Sequence, residues 1–256
     1  MAFFLLFNIL LSTLLGAMPT SGSGDGWYVR RNDAHRQPEL DPSFSYVEKY
    51  DAYYVDKGAE ERGDRVIYLT FDAGYENGNV SKILDTLKAE GVSGAFFILD
   101  NLILRNEELV RRMRDEGHLV CNHTLRHRDM TKIRDKETFS RELGALADLY
   151  RERIGGEMAQ YYRPPEGRFN EENLRMASEL GYKTVFWSLA YADWDNANQP
   201  SREAAMKKIL DNTHNGAVIL LHPTSATNAA ILHELIGAWR QEGYRFGTLD
   251  ELTGRG

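Results

Sequence analysis

The stretch VIYLTFDAGYENG, residues Val66–Gly78, decides the fold of this chain. It begins with β-branched, aromatic and aliphatic residues and ends in an acidic turn that contains glycine. This pattern predicts a buried strand that places one carboxylate, Asp72, at its C-terminal end. From Asn79 the pattern becomes helical, so the stretch is the first strand–turn–helix unit of a β/α repeat, where strand ends carry chemistry. Taken alone, Asp72 is equally consistent with a turn or helix cap.

The same alternation continues along the chain. The hydrophobic patterns predict strands at 65–71, 93–98, 118–122, 158–163, 183–187, 217–221 and 244–247. They predict helices at about 79–90, 106–116, 136–155, 171–180, 200–212 and 226–242. Strands that alternate with helices in this way predict a parallel α/β fold, either an open doubly wound sheet or a barrel.

Composition excludes some classes of function. The chain has 256 residues, of which 42% are hydrophobic and 27% charged, as in ordinary globular proteins. Its net charge of −7 and the lack of a Lys/Arg cluster argue against a nucleic-acid partner. The single cysteine, Cys121, rules out an intrachain disulfide framework.

The first 63 residues differ from the rest. Residues 2–15 are nearly all apolar, which is short for a membrane span of about 20 residues and typical of a signal-peptide core, although no Lys or Arg precedes them. We therefore expect residues 1–24 to be a signal peptide, or else a retained anchor, and the protein to be exported. Residues 25–63 are polar, irregular and rich in aromatics, and we expect an arm packed on the domain formed by residues 64–253.

Polar side chains follow several of the predicted strands. His123 and His127, after the third strand, are four residues apart, so a helical turn would place both imidazoles on one face. This is the spacing of two-histidine metal sites, and neutral imidazoles suit zinc. The pair alone is a weak signal, because surface and capping histidines are commoner, but its position at a strand end strengthens the metal interpretation.

The fourth strand ends in Arg163-Pro-Pro165-Glu166. Here the arginine can pair with a buried carboxylate and hold it ionised. A rigid turn with a solvent-facing arginine is the simpler alternative.

The last two polar clusters are Asp193-Trp194 after the fifth strand and His222 after the wholly apolar sixth. Trp194, on a loop, is suited to stack against a sugar ring, whereas Trp187 is expected in the core. A histidine such as His222 titrates near neutral pH and can donate a proton.

Together these motifs resemble the NodB-type polysaccharide deacetylases, carbohydrate esterase family 4, over about residues 64–252. The shared motifs are TFDAG, HTLRH, RPPEG, the Asp193-Trp194 pair and LLHP, in the order of the family. The longer string TFDAGYENG looks most like the subgroup that de-N-acetylates N-acetylmuramic acid on the way to muramic δ-lactam in spore cortex. The resemblance implies a distorted (β/α) barrel, a single domain with an irregular N-terminal arm.

The resemblance also implies roles for individual residues. Asp72 would be the general base, oriented by Arg163, and His222 the general acid, tuned by Asp193. His123 and His127 would bind a divalent metal, expected to be zinc, that polarises the acetyl carbonyl. The residues expected to contact substrate are Tyr75, Pro165, Glu166 and Trp194.

Two positions depart from the family pattern. Ala73 stands where most members have a third, carboxylate ligand, so zinc should bind more weakly than at a three-ligand site. Cys121 is a candidate substitute ligand, although a small core residue is the commoner use of a cysteine there. Glu166 stands where a tyrosine is frequent, and its charge should disfavour anionic substrate, which favours strands stripped of their acidic stem peptides.

These features predict an exported, monomeric hydrolase that acts on peptidoglycan glycan strands in the cell wall or the compartment around the forespore. An N-acetylglucosamine deacetylase acting on peptidoglycan or chitin-like oligomers keeps the same chemistry. A non-catalytic glycan-binding module is supported only by Ala73. A glycosidase that uses Asp72 with Glu166 or Asp193 leaves the histidines unexplained.

Overall fold

The computed structural model describes residues 24–31 and 34–254. The predicted signal or anchor segment therefore lies outside the described residues, except for Gly24. The strands are β1 (Asp25–Gly26), β2 (Ala52–Tyr53), β3 (Val66–Ala73), β4 (Ala95–Ile98), β5 (Leu119–Asn122), β6 (Ala159–Tyr162), β7 (Arg168–Phe169), β8 (Lys183–Val185), β9 (Ala217–Leu221) and β10 (Arg245–Phe246). The helices are α1 (Ala59–Arg62), α2 (Val80–Glu90), α3 (Asp100–Arg105), α4 (Glu107–Asp115), α5 (Lys136–Arg153), α6 (Glu171–Glu179), α7 (Arg202–Leu210), α8 (Ala226–Gln241) and α9 (Leu249–Leu252).

One curled parallel sheet organises the domain. Strand β3 pairs along one edge with β9, and along the other with β10 at its start and β4 at its end. From β4 the sheet continues through β5, β6 and β8 to β2. Isolated bridges from Val55 to Ala217 and from Leu189 to Ile219 nearly close it into a barrel. The expected distorted (β/α) barrel is confirmed.

The apolar run of β3 is explained by burial on both faces of the strand. Ile67, Leu69, Phe71 and Ala73 pack in the layer between the sheet and the surrounding helices. Val66 and Tyr68 pack in a separate cluster that also contains Phe97, Cys121 and Tyr161. Side chains alternate along a strand, so Asp72 shares the face of Val66 and Tyr68 and lies at the C-terminal end of the barrel interior.

Helices α2 and α8 cover the outer face of β3 and β9. Their buried side chains are Val80, Ile83, Leu84 and Leu87 on α2, and Ile231, Leu232, Leu235, Ile236 and Trp239 on α8. Helix α2 ends at Gly91, which adopts a left-handed conformation with φ of 62° and bonds back to the last turn. No helix in residues 24–31 and 34–254 is long and apolar enough to span a membrane.

The segment from residue 24 to 58 contributes to the sheet and to its own apolar cluster. Its strand β2 pairs with β8 in parallel, and Val55 reaches across to β9, so the segment fills the gap between the two ends of the barrel. Trp27 stacks on Phe186 with ring centroids 4.1 Å apart and packs against Phe169 and Tyr54. The aromatics of this segment therefore serve largely in packing.

Candidate active site

Asp72 and Arg163 form a buried ion pair at the C-terminal edge of the sheet. Arg163 Nη1 donates to Asp72 Oδ1 at 2.8 Å, and the arginine side chain is fully buried while that of Asp72 is 12% exposed. Arg163 follows β6, so two strands that are not adjacent in the sheet bring the pair together. The expectation that the arginine pairs with a buried carboxylate agrees with this geometry.

All three guanidinium nitrogens of Arg163 donate hydrogen bonds. Its Nε donates to the carbonyl of Val185, and its Nη2 donates to Thr70 Oγ1 at 2.9 Å and to the carbonyl of Phe186 at 3.2 Å. The guanidinium also lies 4.2 Å from the ring centre of Phe97. A planar cation with this many fixed partners holds the Asp72 carboxylate in one orientation.

The pKa of Asp72 reflects two opposing effects. Burial raises the pKa of the carboxyl, but the charge of Arg163 and its hydrogen bond, together with the charge of His222, outweigh burial and leave it below its ordinary value. Asp72 is therefore ionised at neutral pH, as a proton acceptor must be.

The His123–His127 segment is a loop rather than the expected helical turn. Thr124 and His127 have left-handed backbone angles, with φ of 72° and 53°, which interrupt any helix. The two rings nevertheless meet edge to face with centroids 5.0 Å apart. The two imidazoles are therefore adjacent, but a loop and not a helical turn brings them together, and a shared metal site stays a prediction.

His123 is oriented by the backbone of Arg163. Its Nδ1 donates to the Arg163 carbonyl at 2.9 Å, which leaves Nε2 as the free nitrogen, 3.6 Å from Asp72 Oδ2. Burial lowers the pKa of His123 to about 4, so the ring is neutral at physiological pH. A neutral imidazole fixed through its second nitrogen is the form in which histidine binds metals.

A complete metal cage is not formed by these residues. The two histidines suit a divalent ion, but Ala73 is packed in the apolar layer under the helices and offers no donor. In the described part of the chain, no group of three or more His, Cys, Asp or Glu side chains is arranged to hold a metal. Cys121 is buried in the interior cluster, where burial raises the pKa of its thiol.

Asp193 and His222 form the second pair. His222 Nδ1 lies 2.7 Å from Asp193 Oδ1, and the backbone N–H of His222 donates to Asp193 Oδ2 at 2.8 Å. Burial alone would lower the pKa of His222, but the hydrogen bond to Asp193 and the charges of Asp193 and Asp72 raise it above its ordinary value. His222 is thus poised to carry a proton, and the charge of Asp72 raises its pKa in the same direction as that of Asp193.

The predicted substrate contacts differ in exposure. Trp194 is 62% exposed and its ring lies 6.3 Å from that of His222, while Tyr75 is 44% exposed and its hydroxyl accepts from Asn196 Nδ2 at 2.6 Å. Pro165 is buried. Glu166 has a left-handed backbone with φ of 55° and is paired with Arg168, so its charge is compensated.

This arrangement does not suit a glycosidase. Asp193 is 1% exposed and both of its oxygens contact His222, while Glu166 is paired with Arg168 at 2.9 Å. Each of these carboxylates already has a partner, so neither matches the free second carboxyl group that a glycosidase needs.

Two supporting residues were missed by sequence reasoning. Thr70 Oγ1 accepts a hydrogen bond from Arg163 Nη2 and donates one to the Ile219 carbonyl oxygen. Asn228 Nδ2 donates to Asp193 Oδ2 at 2.6 Å. The alternation of side chains along β3 places Thr70 beside Asp72 and could have indicated the first. No local pattern indicates the second, because an asparagine in the first turn of a helix is ordinary.

The chain is similar to known proteins over most of its length. The polysaccharide deacetylase family profile matches residues 59–185. A Geobacillus stearothermophilus protein known only as an uncharacterized 30.6 kDa protein is 40% identical over 228 residues, 89% of this chain and 84% of the relative. The peptidoglycan-N-acetylmuramic acid deacetylase PdaA of Bacillus subtilis is 37% identical over 227 residues, 88% of this chain and 84% of PdaA.

The solved structure of Bacillus subtilis PdaA, described as a family 4 carbohydrate esterase, superimposes with a TM-score of 0.85 at 36% identity. The match covers 91% of this chain and 97% of the PdaA chain. The chain therefore belongs to the NodB-type polysaccharide deacetylases of carbohydrate esterase family 4, a family of hydrolases that act on carbon–nitrogen bonds other than peptide bonds.

Proposed function

We propose that this protein removes the N-acetyl group from N-acetylmuramic acid residues of peptidoglycan. The observation that carries the chemistry is the presence of two buried carboxylates at one sheet edge, Asp72 paired with Arg163 and Asp193 paired with His222. The choice of sugar is supported by the similarity to PdaA, whose name gives N-acetylmuramic acid as its substrate.

In the proposed reaction Asp72 accepts a proton from a water molecule as the water oxygen attacks the acetyl carbonyl carbon. Arg163 keeps the carboxylate ionised and fixes Oδ1, so Oδ2 is the oxygen that takes the proton. General base catalysis of this kind contributes about 10²- to 10⁴-fold. The backbone N–H of Glu166 is the candidate donor to the developing oxyanion.

His222 then donates a proton to the amine nitrogen as the carbon–nitrogen bond breaks, which releases acetate and a free amino sugar. Asp193 stabilises the charged form of His222 before the transfer. His123 and His127 would hold a divalent ion, with zinc the best match for two imidazoles, and when bound this ion would polarise the acetyl carbonyl.

The expected substrate is a glycan strand without stem peptides, and its deacetylation is expected to be a step in the formation of muramic δ-lactam in spore cortex. Glu166 is paired with Arg168, so its charge repels acidic stem peptides less than that of an unpaired carboxylate would. The assignment to the muramic δ-lactam subgroup is supported by the TFDAGYENG string, which looks like that of this subgroup.

We further propose that residues 1–24 direct export, that residues 25–63 form an arm, and that residues 64–253 form the catalytic domain. Peptidoglycan lies outside the cytoplasmic membrane, so an enzyme that acts on it works there. A monomer suffices for the reaction, because the two pairs lie on one chain.

The decisive experiment measures acetate release from peptidoglycan strands whose stem peptides have been removed, with and without added zinc, and identifies the products by mass. Muramic acid or muramic δ-lactam is the expected product, because only muramic acid carries the lactyl group that closes the lactam. Glucosamine would retain the chemistry and overturn the sugar assignment. Absence of acetate under both conditions would overturn the proposed activity.

A further inference from the structure

Asn228 is a buried amide in the first turn of α8, beside the Asp193–His222 pair. It is 1% exposed. Its Nδ2 lies 2.6 Å from Asp193 Oδ2 and 3.0 Å from the carbonyl oxygen of His222. Its Oδ1 accepts a hydrogen bond from the hydroxyl of Tyr191. One side chain thus contacts three groups that belong to, or directly border, the second pair.

These contacts specify an asparagine. The Asp193 carboxylate and the His222 carbonyl are acceptors, and the Tyr191 hydroxyl is the donor on the other side. An amide supplies two N–H donors and one acceptor, which matches all three groups. The helix itself does not require this side chain, because the Asn228 backbone N–H is capped by Ser225 Oγ at 3.0 Å.

The consequence for Asp193 is a fixed orientation. Its Oδ2 receives two donors, Asn228 Nδ2 and the His222 backbone N–H, so Oδ1 is left to face the imidazole. Since Oδ1 accepts, His222 Nδ1 carries its proton, and Nε2 is the nitrogen available to exchange a proton with substrate. The His222 side chain is 24% exposed, whereas that of Asp193 is 1% exposed.

We propose that Asn228 is a positioning residue for deacetylation, which holds Asp193, and through it the His222 ring, in the orientation from which His222 donates its proton. This inference rests on the proposed function, because it takes His222 as the proton donor. Asn228 does not touch the reacting atoms, so its effect is transmitted entirely through Asp193 and His222.

The chain provides a matched control in Asn173. It is 2% exposed and occupies the third residue of α6, as Asn228 does in α8. Its backbone N–H is capped by Asn170 Oδ1 at 2.9 Å. Its Nδ2 contacts the carbonyl of Ile133 at 3.4 Å, away from the Asp193–His222 pair. The two asparagines therefore share burial and helix position and differ in what their amides hold.

The experiment compares Asn228→Leu with Asn173→Leu, a change that keeps the number and branching of the side-chain heavy atoms and removes the amide. Activity on stem-peptide-free strands is measured as kcat and KM across pH, and the His222 resonance, assigned with a His222→Ala sample, is titrated by NMR. The charged groups that face His222 are Asp193, Asp72 and Arg163, and both variants leave all three in place.

We expect Asn228→Leu to lower kcat about 10- to 100-fold with little change in KM, as when outer partners of active-site groups are removed. A carboxylate with one donor fewer interacts more strongly with imidazolium, so the His222 titration should move to higher pH. Asn173→Leu should leave kcat and the titration at their wild-type values. Equal effects in the two variants, or no effect in Asn228→Leu, would overturn the proposal.

Tyr191→Phe is a second test that is less disruptive to folding. It removes only the hydroxyl that donates to Asn228 Oδ1. It should move both readouts in the same direction as Asn228→Leu, by a smaller factor. If Asn228→Leu does not fold, wild-type values in Tyr191→Phe overturn the proposal. The NMR titration requires no turnover, so it tests Asn228 even if the wild-type enzyme releases no acetate, an outcome that overturns only the proposed function.

Discussion

Asp72 and Asp193 are both carboxylates buried at the C-terminal edge of the sheet, but their partners differ. Asp72 pairs with Arg163, whose guanidinium carries a permanent positive charge. Asp193 pairs with His222, whose imidazole gains and loses a proton. A permanent partner keeps a carboxylate ionised and ready to accept a proton. A titratable partner gives the carboxylate a different effect, because the carboxylate then raises the pKa of that partner.

The exposure of the two groups leads to the same distinction. The Asp72 side chain is 12% exposed and its Oδ2 lies 3.6 Å from His123 Nε2. Asp193 is 1% exposed and both of its oxygens are engaged by His222. Asp72 can reach a water molecule and Asp193 cannot, so the first suits a base and the second a support for an acid.

The largest effect is expected from Asp72→Asn. The amide keeps an oxygen for Arg163 but cannot accept the water proton, so kcat should fall about 10²- to 10⁴-fold. Steady-state acetate release measures this, and circular dichroism checks that the variant is folded. A matched control is Asp85→Asn, which removes an exposed carboxylate paired with Arg112 and should leave turnover unchanged.

Near-wild-type turnover in Asp72→Asn would contradict the assignment of Asp72 as the base. It would show that the proton is accepted elsewhere. A loss of equal size in Asp85→Asn would point instead to a general charge effect.

The next effect is expected from Asp193→Asn, through pH. Asp193 raises the pKa of His222, so removing its charge should lower that pKa and move the alkaline limb of kcat/KM to lower pH. Above both pKa values, each unit removes about a factor of ten in the protonated acid. A full pH profile of kcat/KM measures the shift.

The same linkage has a stability counterpart. A raised pKa in the folded state stabilises the fold fully below the ordinary histidine value of 6.5 and progressively less as pH rises through the folded value. Asp193→Asn should lose this acid-side stabilisation in thermal melts. Asp211→Asn, which removes an exposed partner of Lys207, is the control and should change neither readout. An unmoved alkaline limb in Asp193→Asn would contradict the assignment of His222.

Much of the fold was readable from the sequence where one pattern dominates. The run Ala217–Leu221 is wholly apolar, and the predicted strand has the observed bounds. Strand β2 escaped prediction because it has only two residues and depends on a gap between β8 and β9 that tertiary structure creates. Local sequence carries no signal for such a gap.

The site was predictable to the extent that its residues follow strands. The helical turn at the histidines failed because Thr124 adopts φ of 72°, a conformation that a β-branched residue rarely takes. It is held there as the Asn122 side chain accepts the Thr124 N–H at 2.9 Å, a contact set by the surrounding fold. Asn228 was missed for a related reason, since its role depends on Asp193, 35 residues earlier in the chain.

The smallest effect is expected from Trp27→Phe. This variant tests whether the N-terminal segment helps to position Arg163 against Asp72. Trp27 Nε1 donates to the Trp187 carbonyl at 2.8 Å, and its backbone N–H donates to the Gly167 carbonyl at 2.9 Å. These contacts flank the Phe186 carbonyl and the loop that leads from Arg163. Phenylalanine keeps an aromatic ring against Phe186 but leaves the Trp187 carbonyl without this donor.

We expect Trp27→Phe to reduce the free energy of unfolding by about 1–3 kcal/mol and to lower turnover by a smaller factor than Asp193→Asn. Denaturant melts and acetate release measure the two effects. Tyr28→Phe is the control, because Tyr28 is 47% exposed and its hydroxyl donates to Asp41 in the same segment, so the change should stay within about 0.5 kcal/mol. If Trp27→Phe lost stability but kept full turnover, the segment would close the barrel without positioning Arg163, and the orientation of Asp72 would depend on strands β3, β6 and β8 alone.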